Sequence, residues 1–189
     1  MDTCEVVETF SNDRQVLASA RDGSEEAGRK LMADHGPAML RTAWHVLGRY
    51  GGNDAEDVVQ EAFIAALTTG AAPHGDVGAW LRAIAARKAL DAVRGRHRRL
   101  ERPLPDPATG ETELVAAGSP AASVATLAVR EALARLPAGD RAVLVLVEIE
   151  GCSMAEAAEA LGTTNVGTRL RAVRARRKLA KLLRHGDPS

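Results

Sequence analysis

Helical periodicity in this chain is interrupted once, and that interruption constrains the fold more than any other feature. Residues 101–123 carry Pro103, Pro105, Pro107 and Pro120, four of the eight prolines, together with Gly110 and Gly118. Proline lacks the N–H that a helix or sheet ladder needs and disfavours helical backbone in the residue before it. The segment reads as a flexible or loosely extended linker. Apolar residues recur at helical spacing on both sides of it, so the 189 residues divide into two small domains. The expected layout is an N-terminal tail (1–12), a first domain (13–100), the linker (101–124), a second domain (125–184) and a C-terminal tail (185–189).

The clearest helix of the first domain places Ala55, Val58, Val59, Ala62, Phe63, Ala66 and Leu67 on one stripe. Asn53 with Glu56 gives it a capping-box-like start, and Gly70 with Pro73 ends it. Residues 13–20 and 24–47 form two earlier helices, broken at Asp22-Gly23, with Gly36-Pro37 as a candidate bend. Asp76 caps a fourth helix that runs to about Gly95. Hydrophobic residues reach 46% but aromatics only 3%, a balance that favours an all-α fold over a strand-rich one.

The second domain carries a sharper pattern. Leu136-Pro137 precedes one helix, Gly151 ends it, and Ser153 with Glu156 forms a capping box for a short helix ending at Leu161-Gly162. A tight turn and a long basic helix follow, which is the layout of a helix-turn-helix whose second helix enters the major groove.

Total charge is zero, 25 basic against 25 acidic side chains, and taken whole this argues against a nucleic-acid partner. Residues 82–102, however, hold eight basic and two acidic side chains, and residues 169–184 hold eight basic and none acidic. The rest of the chain carries net −14. A polyanion meets a local patch, not a sum. Eight cations on the last helix exceed what solubility or the helix dipole requires. In the first basic stretch Trp80 belongs to the core, Asp91 can pair with Lys88 or Arg94, and Arg96, Arg98 and Arg99 are placed to grip phosphates. The outward face of the 55–67 helix, Glu56, Asp57, Gln60 and Glu61, reads on its own as a solvated acidic face.

Nothing in the sequence has the layout of a catalytic, metal or cofactor site. There is no Gly-rich phosphate loop, no Gly-x-Ser-x-Gly and no His-Glu-x-x-His, and the five histidines are scattered. Cys4 and Cys152 form no Cys-x-x-Cys pair, so neither a disulfide nor zinc is expected. No apolar run approaches the ~18–20 residues that span a bilayer, and the acidic start lacks a signal-peptide flank. A cytoplasmic, non-enzymatic protein without membrane insertion is expected.

Two motifs carry a family likeness. Asp54-Ala55-Glu56-Asp57-Val58-Val59-Gln60-Glu61-Ala62-Phe63, then Ala79-Trp80-Leu81-Arg82-Ala83-Ile84-Ala85 and Ala89-Leu90-Asp91-Ala92-Val93-Arg94, strongly resemble region 2 of bacterial extracytoplasmic-function (ECF) RNA polymerase sigma factors. Ala132-Leu133-Ala134-Arg135-Leu136-Pro137, Glu150-Gly151-Cys152-Ser153-Met154-Ala155-Glu156 and Arg174-Ala175-Arg176-Arg177-Lys178-Leu179 resemble region 4. The likeness spans residues 13–183 in family order, with the linker in place of region 3.

The resemblance implies a sigma factor that binds core RNA polymerase, recognises the −10 and −35 promoter elements and promotes DNA opening. It implies that Glu56, Asp57, Gln60 and Glu61 dock on polymerase. It places His74, Asp76, Arg87, Lys88, Arg94, Arg96, Arg98 and Arg99 at the −10 element, where holding an extruded base offsets the cost of unstacking. Thr164, Asn165, Arg169, Arg171, Arg174 and Arg176 fall at the −35 element, some on bases and some on phosphates. An anti-sigma factor is a further implied partner. A helix-turn-helix regulator acting without polymerase is the alternative function, and a module keeping only the polymerase-binding face is a third.

The chain departs from the family pattern at Ala86-Arg87, where an Asn is usual, and in the recognition helix. There Val166, Leu170 and Val173 fall nearly opposite Ala172, Ala175, Leu179 and Leu182 on a helical wheel. One neighbour cannot bury both stripes. Either the turn is longer and the helix locally adjusted, or an apolar edge faces DNA or a partner.

Overall fold

The computed structural model describes residues 3–51, 54–70, 73, 75–100 and 124–185, and among these every regular element is helical. The first half comprises α1 (Thr3–Arg21), α2 (Glu25–Leu47), α3 (Asp54–Thr68) and α4 (Val77–Leu100). The second comprises α5 (Val124–Ala134), α6 (Ala138–Leu144) continued by a π-helical turn (Val145–Ile149), α7 (Met154–Ala160) and α8 (Asn165–His185). The linker reading of residues 101–123 lies outside the described residues. Helix α1 starts inside the stretch expected to be a tail, and α4 runs to Leu100, past the expected end at Gly95.

Local chemistry accounts for the helix boundaries. Gly23 takes φ 97°, a conformation open to glycine, and separates α1 from α2. Ser24 Oγ then accepts the Ala27 N–H at 3.3 Å, with Glu25 and Glu26 in the first turn beside the positive helix end. Helix α2 passes through Pro37 without interruption, so the anticipated bend does not divide it. Its burial offsets the backbone bond that proline cannot make, because Leu31, Met39, Ala43, Val46 and Leu47 are all enclosed. Asp76 caps α4 as expected, its Oδ1 accepting the Gly78 N–H at 2.7 Å.

Helices α2 and α4 form the centre of the first half, with α1 and α3 packed around them. The expected stripe of α3 faces inward: Ala55, Val58, Val59, Ala62 and Ala66 are buried, with Phe63 and Leu67 at the margin. Alanines at Ala43, Ala62, Ala85, Ala86 and Ala89 let the backbones approach closely, so few aromatics are needed. The same buried cluster continues into Ala142, Val143, Val145, Leu146, Ala157 and Leu161, so the two halves are packed together.

In the second half α7 and α8 form the helix-turn-helix, with Gly162 at φ 62° in the turn. The capping box is complete: Ser153 Oγ accepts the Glu156 N–H at 3.2 Å, and Glu156 Oε2 accepts the Ser153 N–H at 2.8 Å. Leu133, Leu136, Leu144 and Ala175, flanked by Leu179 and Leu182, seat α8 on α5 and α6. Helix α8 is continuous, and only one of its two apolar stripes is packed. Thr168, Ala172 and Ala175 are buried, while Val166, Leu170 and Val173 remain exposed. The register question therefore resolves to an apolar edge on the outer face.

Candidate nucleic-acid interface

Helix α3 turns its acidic face outward because its apolar stripe occupies the other side. Glu56, Asp57, Gln60 and Glu61 are all exposed, and Glu61 faces Lys88 of α4 at 3.6 Å. The structure adds a residue that the sequence reading did not select. Ile64 is 61% exposed and lies three and four residues beyond Glu61 and Gln60, on the same face. Its signal was an apolar residue outside the buried stripe.

The cations of α4 divide into committed and open groups. Lys88 meets Glu61, Arg94 meets Asp91 at 3.4 Å, and Arg96 pairs with Asp54 while its guanidinium lies 5.1 Å from the Tyr50 ring centre. Of the two partners expected for Asp91, Arg94 is the one it takes. Arg87 and Arg98 are exposed and form no ion pair among the described residues. His74 and the side chain of Arg99 lie outside those residues. Asp76 is engaged in capping α4. Trp80 is half-buried, with the Arg21 guanidinium 5.5 Å from its ring centre.

On α8 the cations look uncompensated in sequence but are partly neutralised in the fold. Arg176 donates to Glu148 Oε1 from Nε at 2.8 Å and from Nη2 at 2.5 Å. Lys178 donates to Asp140 at 2.7 Å, and Arg171 lies 3.9 Å from the same carboxylate. Arg169, Arg174 and Arg177 are exposed and form no ion pair among the described residues. Thr164 is the N-cap of α8, its Oγ1 accepting the Gly167 N–H at 3.1 Å. Asn165 is exposed beside it. Cations therefore remain open on the outer face of α8 and are spent along its flanks.

The junction between the halves is polar at two points. Buried Arg141 donates to carbonyls of α2, and Glu150 bridges Thr42 of α2 and Arg82 of α4. A cleft of about 420 Å³ between α4 and α7 is lined by Asp76, Trp80, Ile84, Arg87, Cys152 and Glu156, among others. Burial pushes the Cys152 thiol above its ordinary pKa, with the nearby Glu156 charge adding to the effect. The thiol is therefore not activated as a nucleophile. Among the described residues no group of His, Cys, Asp or Glu is placed to hold a metal.

Residues 31–99 match the family model of sigma-70 region 2, and residues 126–179 match that of sigma-70 region 4. The chain is 31% identical over 176 residues to the ECF RNA polymerase sigma factor SigM of Mycobacterium tuberculosis (strain ATCC 25618 / H37Rv), covering 91% of this chain and 85% of that protein. It is 35% identical to the RNA polymerase sigma factor CnrH of Cupriavidus metallidurans, covering 90% and 94%. Its fold is similar to that of CnrH solved in complex with the cytosolic domain of CnrY, with TM-score 0.63, 32% identity, and 93% and 99% of the two chains covered. It is also similar to the sigma factor RpoE solved with the anti-sigma factor NepR from Bartonella quintana, with TM-score 0.61 and 22% identity. There 84% of this chain and 98% of that one are covered, and the likeness is one of fold.

Proposed function

The chain belongs to the ECF RNA polymerase sigma factors, and from that premise we propose which surfaces perform each task. Helix α3 docks on core RNA polymerase through Glu56, Asp57, Gln60 and Glu61, with Ile64 at the centre of the contact. Helix α4 engages the −10 element through Arg87 and Arg98, and the outer face of α8 engages the −35 element. The observation that carries this reading is the separation of charge. An acidic face with an apolar residue stands on one half, and an open arginine face stands on the helix-turn-helix of the other. RNA synthesis is the chemistry of the polymerase, and no residue of this chain is given a catalytic role.

Reading both elements at once requires the halves to separate. Helix α7 packs against both α4 and α8, and at ~10 Å between packed axes α4 and α8 lie within about 20 Å near that junction. Elements near −10 and −35 are about 25 base pairs apart, or about 80 Å at ~3.4 Å per base pair. Residues 101–123 join the halves, and a fully extended chain of that length reaches roughly 75 Å. That reach, added to the halves themselves, spans the promoter. The packed arrangement is then the form that precedes promoter binding.

No helix among the described residues is long and apolar enough to cross a membrane, and the proposed site of action is the polymerase in the cytoplasm. The relatives CnrH and RpoE are solved with CnrY and the anti-sigma factor NepR, and an anti-sigma factor is the matching partner for this chain. Run-off transcription with purified core polymerase tests the assignment. Promoter-dependent transcripts are expected. A protein that bound promoter fragments without polymerase would instead be a regulator, and one that bound polymerase without initiating would be an interaction module.

A further inference from the structure

The exposed apolar edge of α8 has no role in packing. At ~100° per residue, Val166, Leu170 and Val173 fall within about 60° of one another on the wheel. They are 68%, 58% and 42% exposed, whereas Thr168 and Ala172 on the far side are 1% and 0%. Three branched aliphatic side chains in the first turns of an otherwise arginine-rich helix contribute nothing to the core. Three aliphatic side chains exposed together on one helix face make that face a candidate contact with another molecule.

The surroundings of the edge select its occupant. Arg169 and Arg174 flank it, and Arg177 continues it by one turn; none of the three forms an ion pair among the described residues. The cations that do find acids, Arg171, Arg176 and Lys178, lie at the sides, against Asp140 and Glu148. The face is therefore aliphatic at its centre and cationic at its rim. Its complement is anionic at the edges and apolar in the middle. The DNA major groove has that form wherever thymine is present, because phosphates wall it and the thymine C5-methyl is the apolar group on its floor. The position agrees, since the N-terminal residues of a second helix in this motif are those that reach base edges.

We propose that Val166, Leu170 and Val173 read thymine methyl groups in the −35 element, while Arg169, Arg174 and Arg177 hold the flanking phosphates. Specificity there rests on apolar contact, with Thr164 capping the helix instead of reading a base. The inference rests on the sigma-factor reading and names the chemistry by which that site selects its sequence.

Uracil is the direct probe, because replacing dT with dU removes the methyl and leaves the hydrogen-bonding edge unchanged. Holoenzyme assembled from the full chain and core polymerase selects fragments from a pool randomised upstream of a fixed start region. Each thymine of the selected element is then replaced by uracil in synthetic duplexes. Burial of one methyl predicts a loss of roughly fourfold at each contacted position. Leu170→Ala and Val173→Ala lie on an exposed face, so thermal melting is expected to match the parent. Each is expected to weaken binding to the thymine duplex more than to the uracil duplex, and so to remove the uracil effect at its own position. Three results would overturn the proposal: a selected element without thymine, indifference to uracil at every position, or equal losses for the variants on thymine and uracil duplexes. Equal losses with weakened polymerase binding would make the edge a protein contact. Promoter-dependent transcription with no uracil effect rejects this inference alone, whereas absence of any promoter-dependent transcript rejects the sigma reading beneath it as well.

Discussion

The Arg141 Nε–H donates to the carbonyl oxygen of Val46 at 2.7 Å and ties the second half of the molecule to the last turn of α2. The same guanidinium donates to Leu47 at 3.2 Å, Ala134 at 3.1 Å and Leu136 at 3.0 Å. The final carbonyls of a helix have no partner of their own and form its negative end, so a buried cation satisfies them in both hydrogen bonding and charge. Burial pushes the Arg141 pKa down to about 10, with Arg49 adding to the effect, and the group stays charged at neutral pH. Arg141→Met keeps the aliphatic stem, removes the guanidinium and leaves the carbonyls unpaired. A loss of at least about 3 kcal/mol in urea unfolding is expected, because three of these bonds are buried and each acceptor left unsatisfied costs about 1–3 kcal/mol. Unchanged unfolding would show that the guanidinium anchors nothing.

Gly48 follows α2 with φ 63°, and a Cβ there would stand 2.7 Å from Arg141 Cζ. Gly48→Ala meets two obstacles, the positive-φ backbone (φ 63°, ψ −122°), which costs a non-glycine residue about 1–3 kcal/mol, and displacement of the guanidinium. Destabilisation beyond the backbone cost is expected in the parent. The excess should vanish in an Arg141→Met background, because the two sites share one contact. Additive effects in the double variant would separate Gly48 from Arg141.

These relationships mark where the sequence stops being legible. The stripe of α3, the break at Gly23 and the Ser153–Glu156 box could be read because their partners lie within a few residues. The neutralisation of α8 could not. Glu148 stands 28 residues from Arg176, and Asp140 stands 38 from Lys178, so only the fold brings them together. Arg141 adjoins Asp140 in sequence and has the local pattern of an exposed helix residue, yet it is 4% exposed. The two stripes of α8 were both visible, and the choice between them depended on where α5 and α6 pack.

The capping box gives α7 a pH dependence of definite sign. Hydrogen bonds from Ser153 hold the Glu156 carboxyl below its ordinary pKa. Its contribution is therefore present above the usual glutamate value and is lost as pH falls through the folded-state value. Ser153→Ala is expected to cost about 1 kcal/mol at neutral pH. Glu156→Gln should differ from the parent at pH 7 and converge with it as pH falls through the folded-state value. Urea unfolding across an acid titration measures this, and a constant difference would contradict the assignment.

Charge reversal on α3 tests the docking face. Asp57 and Gln60 are exposed, and Asp57 stands in the first turn of α3, so Asp57→Arg with Gln60→Ala should lose only the ~1 kcal/mol of an unfavourable charge at the positive helix end and remain folded. Affinity for core polymerase should fall at least tenfold, the scale of one lost charge-assisted contact at ~1.5–3 kcal/mol. Promoter-dependent transcription should fall with it. Full affinity in the double variant would place docking elsewhere.

Glu150 is a second polar contact between the halves, beside Arg141: its Oε1 accepts from Thr42 Oγ1 at 2.6 Å while Oε2 lies 2.7 Å from Arg82 Nε. All three side chains are largely shielded from water, so the contact is worth more than a surface pair. Glu150→Ala removes the hydrogen bond from Thr42 and the ion pair with Arg82, and leaves Arg82 unpaired in the packed form, whereas in the separated form Arg82 can regain water. The substitution therefore weakens the packed form relative to the open one. If only the open form binds polymerase and promoter together, apparent affinity rises in proportion to the open fraction. A bias of ~1.5 kcal/mol corresponds to about a tenfold gain for a chain that is mostly packed. Paired labels at Arg29 and Ala155, both exposed and outside the proposed contacts, should report a longer mean distance in free Glu150→Ala than in the parent. They should report the same long distance for both proteins in holoenzyme. Identical distances and affinities in the free proteins would mean that Glu150 stabilises the packed and open forms equally, and that the junction imposes no barrier to polymerase.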